Sequence, residues 1–138
     1  MALNGVTSGG KEFDGFAHFV EHPLSGLYDI THGEGLAVLI PAWMDRVLDG
    51  RTAPRLARYA RAVWEVADPD DFRAAREGIA RTRAFFASLG LPSRLTQLGV
   101  GAESFDRVID AAVDADGCVG AFARLDRAAV RGILEAAL

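Results

Sequence analysis

Residues 14–48 read DGFAHFVEHPLSGLYDITHGEGLAVLIPAWMDRVL. Phe16, Phe19, Val20, Leu24 and Leu27 recur at helical spacing and predict a first helix from about Asp14 to Tyr28. Pro23 lies inside it and lacks a backbone donor, so a kink or break is expected there. Asp29 to Gly33 reads as a turn. A second helix is expected from about Glu34 to Leu48, apolar nearly all round through Leu36, Ala37, Val38, Leu39, Ile40, Ala42, Trp43, Met44 and Val47. A helix with no wet face is a central one, here with a bend expected at Pro41.

The rest of the chain repeats the pattern. Thr52 followed by Pro54 predicts a helix start, with Leu56, Tyr59, Ala60, Val63 and Trp64 as its apolar stripe. Asp68-Pro69 predicts the next start and Gly90 its stop after Leu89, with Ile79, Phe85, Phe86 and Leu89 facing inward. A short helical turn is expected at about Arg94–Leu98, a helix at about Ser104–Asp114, and a last helix after Asp126. DGCVGAF between them reads as a glycine-rich loop, and no alternating strand pattern closes on a hairpin turn. The expected fold is an all-α bundle of about six to seven helices, with residues 1–138 forming a single helical domain.

Composition removes several classes of function. A formal charge of −4 offers no surplus for binding nucleic-acid phosphates, and RTAPRLARYARAVWEV reads as the wet face of an amphipathic helix. Cys118 is the single cysteine, so no intrachain disulfide forms, and an ordinary thiol is expected. MALNGVTSGGKEFDG lacks the pattern of a secretory leader, and LAVLIPAWM is too short to span a bilayer. The expectation is a cytoplasmic protein with no membrane partner.

All three histidines, His18, His22 and His32, fall within fifteen residues. Imidazole is the commonest metal ligand and titrates near neutrality, so this run is where chemistry is expected. His18 and His22 are four apart and share a helix face. With Glu21 between them, HFVEH satisfies H-x-x-E-H, the signature in which two histidines hold zinc and the glutamate is a general base. That metallopeptidase-like reading needs a third ligand, for which Glu65, Glu77 and Glu103 are candidates. A third possibility is a helical interaction module whose histidines point apart. Asp14, Glu21, Asp29 and Glu34 could orient imidazoles, although solvated charge is the simpler account.

The whole run resembles the iron-containing alcohol dehydrogenase family, most closely its butanol-dehydrogenase-like members. The resemblance rests on His18, His22-Pro23-Leu24, Gly26, Tyr28 and His32-Gly33, with the apolar helix and Pro41 after them. MALNG, RYARAVWEV, FFASLGLP and SRLTQLGV resemble successive pieces of the same family's C-terminal half. The resemblance implies that His18 and His32 bind a divalent metal, iron or zinc. It implies that His22 sits beside the nicotinamide of NAD or NADP and the alcohol, and helps move the proton. The implied reaction interconverts a small-molecule alcohol and its aldehyde or ketone. Family members also carry an N-terminal nucleotide-binding domain and an Asp-x-x-x-His pair that completes the metal site; neither is found here, since GVTSGG follows no strand and no histidine precedes His18. The expectation is therefore the C-terminal metal-binding part of such an enzyme, inactive alone. Apolar surface is expected around Leu36–Val47 and the histidine run, and with it a homo-oligomer.

Overall fold

The computed structural model describes residues 14–138; the expectations placed on MALNG and GVTSGG lie outside them. Six α-helices follow in order: α1 (Phe16–Tyr28), α2 (His32–Val47), α3 (Ala53–Trp64), α4 (Asp71–Ser88), α5 (Phe105–Ala112) and α6 (Arg127–Ala136). Two 3₁₀ turns, Leu95–Leu98 and Ala102–Ser104, link α4 to α5. Among the described residues the only strands are β1 (Cys118–Val119) and β2 (Leu125–Asp126), an antiparallel ladder in the segment read as a glycine-rich loop. The all-α expectation holds, and no helix among the described residues is long and apolar enough to cross a membrane.

α1 buries Phe16, Val20 and Leu24, one residue per turn, while Phe19 on the other side is half exposed. This stripe packs on α2 and α5, and α2 in turn packs on α4 and α6, the central position its composition predicts. Phe105, Val108, Ile109, Val130, Ile133 and Leu134 complete the main core. Both prolines sit inside continuous helices, Pro23 in α1 and Pro41 in α2, so the break foreseen after His22 does not occur. Each proline removes one donor from a ladder that packing on both sides holds together.

Several side chains expected inside are outside. Val63, Phe85 and Leu89 are largely exposed, and Phe85 instead meets Trp64 at the surface with ring centroids 5.7 Å apart. The inner face of the α3–α4 hairpin is built from small residues, Ala57, Ala60 and Ala74 with Val66. A large side chain there would hold the helices apart. The largely exposed apolar side chains therefore lie mainly on α3 and α4, while on α2 Leu36, Ile40, Trp43 and Met44 are half-buried; in the histidine run Phe19 exposes a large apolar side chain. α4 also starts later than Asp68-Pro69 suggests. Asp70 is its cap and accepts from the Arg73 N–H at 2.9 Å, while Asp68 accepts from the Asp70 N–H at 2.8 Å.

α3 and α4 approach closely at Gly78. A Cβ there would stand 2.4 Å from the Ala60 Cβ and 2.9 Å from its Cα, which no rotamer change relieves. Gly78→Ala is expected to lower stability by about 1–3 kcal/mol despite alanine's better helix propensity. A thermal melt equal to that of the parent chain would contradict this.

In the arginine-rich stretch Arg55 and Arg58 are exposed, as a wet helix face requires, while Arg61 is used within the protein. Arg61 donates to the Asp68 and Pro69 carbonyls at 2.8 and 3.0 Å and to Asp71 at 2.8 Å, tying α3 to the start of α4. A second tie spans almost the whole chain. Asp14 Oδ1 accepts from the Phe16 N–H, while Oδ2 accepts from the N–H groups of Ala121 (3.1 Å) and Phe122 (2.7 Å). It fixes the start of α1 to the loop between β1 and β2.

Candidate metal centre

α1 ends at Asp29, which adopts the left-handed region (φ 54°) and returns its N–H to the Ser25 carbonyl. That residue reverses the chain. Thr31 then caps α2, and its carbonyl accepts from the N–H of Glu34. His32 is thus the first residue of α2 rather than part of the turn, and it faces the α1 surface that carries His18 and His22.

His18 Nδ1 and His32 Nε2 stand 3.0 Å apart. Two imidazole nitrogens sharing one ion at about 2.0–2.2 Å are separated by about 3–3.5 Å, so this pair already has the separation of two ligands. The His22 ring lies 5.1 Å from that of His32 and 5.9 Å from that of His18. One nitrogen from each histidine lies within 4.8 Å of the other two. His22 and His32 are exposed and His18 is half-buried.

Behind the rings the site is buried. Glu21 has no solvent exposure, and its Oε2 accepts from His32 Nδ1. Ser25 Oγ reaches both Glu21 Oε1 and, at 3.1 Å, the Ile30 carbonyl. Its single proton goes preferentially to the carboxylate, the stronger acceptor. Nδ1 of His32 is thus engaged with the buried carboxylate, and its Nε2 faces His18. Desolvation, then the charges of His32 and His22, hold the His18 imidazole below the ordinary histidine range, with Glu21 opposing them. A neutral imidazole is the form that binds a metal. The donor set therefore fits a divalent ion of borderline hardness, with open positions for further ligands.

The three sequence readings are now distinguishable. The peptidase-like reading leaves His32 outside the converging pair, yet His32 makes the closest nitrogen approach. Glu65, Glu77 and Glu103 are absent from the only potential metal-binding group among the described residues. Glu21 is buried and engaged with His32 and Ser25, so it cannot polarise a water. Histidines that pointed apart, as an interaction module requires, are likewise not found. Solvated charge was the wrong account of two carboxylates, since Glu21 is fully buried and Asp14 binds backbone. Gly35 was missed. It lies on α2 directly against the Glu21 carboxyl, where a Cβ would fall 2.6 Å from Glu21 Cγ. The available signal was a glycine in the first turns of a helix, where alanine would be favoured.

Comparison with known proteins identifies the family. The sequence profile of the Fe-containing alcohol dehydrogenase family, C-terminal, matches residues 3–138. The chain is 40% identical over 122 residues to NADH-dependent butanol dehydrogenase A of Clostridium acetobutylicum, covering 87% of this chain and 31% of that protein. It is also 40% identical to probable NADH-dependent butanol dehydrogenase 1 of Bacillus subtilis, covering 100% of this chain and 36% of that protein. The crystal structure of NADH-dependent butanol dehydrogenase A from Thermotoga maritima superposes with a TM-score of 0.84 at 30% identity, over 99% of this chain and 36% of that one. The chain thus spans about a third of the length of these relatives. By sequence and by fold, it belongs to the Fe-containing alcohol dehydrogenase family and corresponds to its C-terminal part.

Proposed function

We propose that this chain is the metal-binding helical part of a metal-dependent alcohol dehydrogenase that interconverts a short alcohol and its aldehyde with a nicotinamide dinucleotide. The observation that carries the reading is the 3.0 Å approach of His18 Nδ1 to His32 Nε2, with the other nitrogen of His32 held by a buried glutamate. His18 and His32 would hold the divalent ion, iron or zinc, leaving positions for the family's Asp-x-x-x-His pair and for a substrate oxygen. When bound, that ion supplies Lewis-acid activation of the substrate oxygen. His22, exposed beside the pair, exchanges the hydroxyl proton with solvent. NADH and butanol stand in the names of the two butanol dehydrogenases described above, whereas a similar aldehyde reductase of Escherichia coli is named NADPH-dependent.

In this reading residues 1–138 form one helical unit that needs a nucleotide-binding part for turnover. The histidines open onto the surface, which suits a cleft closed by another part of the enzyme. The exposed Val63, Phe85 and Leu89 suit a homo-oligomer; a cytoplasmic location belongs to the same proposal and is carried by none of these side chains. The test is to put this chain in place of the matched segment of the Clostridium acetobutylicum relative. The chimera should contain about one divalent ion per chain and oxidise NADH with butanal. A folded, metal-loaded chimera inactive on a panel of aldehydes would overturn the reading.

A further inference from the structure

The buried side of the histidine cluster is built from Glu21, Ser25 and Gly35. A carboxylate with no solvent exposure on the inner face of an amphipathic helix is costly unless something fixes its use. Here each oxygen has one partner. Oε2 accepts from His32 Nδ1, and Oε1 faces the Ser25 hydroxyl. The third side of the carboxyl rests on α2 at Gly35. The Cβ of any other residue there would lie 2.6 Å from Cγ, 2.7 Å from Oε1 and 3.0 Å from Cδ of Glu21. Nothing outside Glu21 is among the nearest atoms to that position. Gly35 therefore leaves the space that the Glu21 carboxyl fills, and backbone conformation does not call for it, since it lies in the regular helix of α2.

We infer that Glu21 is a positioning residue, held by Ser25 and given space by Gly35, which keeps His32 protonated on Nδ1 with the Nε2 lone pair aimed at the position shared with His18. The inference rests on the metal reading above but goes beyond it, because it assigns work to residues that touch neither ion nor substrate. Carboxylates behind metal-binding histidines fix the tautomer and ring orientation, and their loss typically weakens metal binding about 10–100-fold.

The test has two readouts on the full chain. Nitrogen-15 NMR of the metal-free protein reports the His32 tautomer, and Co(II) titration followed by its visible spectrum reports affinity. The parent chain should show His32 protonated on Nδ1. Glu21→Ala should give a mixture of tautomers and bind Co(II) about 10–100-fold more weakly. Glu21→Gln keeps an acceptor at the same length and should retain the tautomer and most of the affinity. Gly35→Ala should reproduce the Glu21→Ala loss, yet cost nothing further when added to Glu21→Ala, because the space it needs has been vacated. Unchanged tautomer and Co(II) affinity in a folded Glu21→Ala chain would overturn the inference, and so would additive losses in the double variant. If His18→Ala and His32→Ala bound Co(II) as tightly as the parent, the metal reading would fail instead. The tautomer measurement would still judge Glu21.

Discussion

Turnover of the chimera with butanal is expected to fall by about three orders of magnitude when His32 is replaced by alanine, the equivalent of roughly 4 kcal/mol in the barrier. His18→Ala should do the same, since each residue supplies one of two nitrogens 3.0 Å apart. Metal content measured on the same preparations should fall with the rate. A variant that loses its metal but keeps its turnover would contradict the assignment. Acid should act in the same direction. The ordinary histidine value is 6.5, and desolvation with the neighbouring His32 and His22 lowers that of His18. On the proposed reading, neutral His18 is the ligand form at neutral pH, and protons compete with the ion only as pH drops below that range. The same shift affects folding. Because the folded pKa is the lower one, the unfolded chain takes up the proton first. The stability linked to His18 is complete above about pH 6.5 and is lost as pH falls through the folded value.

Phe16→Ala is expected to destabilise the fold by about 3–5 kcal/mol, the usual cost of emptying a buried phenylalanine site. Phe16 is 1% exposed and stacks on Trp43 at 6.1 Å, which in turn meets Phe122 at 6.0 Å. The cavity would open between α1, α2 and the loop held by Asp14. Phe19, three residues on but 50% exposed, is the internal comparison, and Phe19→Ala should cost well under half as much. Urea unfolding of the two variants checks the difference. Equal midpoints would contradict the packing described here.

The elements legible in advance were those with a local signal. The stripe of Phe16, Val20 and Leu24 and the apolar run of α2 fixed two helices and their contact through the spacing of single residues. The histidine cluster was legible because His18, His22 and His32 are close in sequence and match a family pattern. What could not be read depended on distant partners. Phe85 and Leu89 lie at core spacing, but the opposite helix presents alanines, and the large side chains end up outside. Glu21 looked like solvated charge because nothing in its neighbourhood reveals that Gly35, on the next helix, makes room for it. The β1–β2 ladder joins two-residue strands, too short for any alternation to show.

The Asp14 clamp has a temporal side. His18 and His32 are fourteen residues apart, whereas Asp14 and Ala121 are separated by 107. Closing the longer loop costs roughly 2 kcal/mol more chain entropy, at about 0.6 kcal/mol per doubling. On the ribosome the two imidazoles can meet as soon as the first two helices emerge. The clamp on the helix bearing His18 and His22 must wait until residue 122 has been synthesised. If the proposed metal site is right, a nascent chain stalled before that point would present its two ligand histidines on a hairpin that is not yet locked, open to whichever ion reached it first.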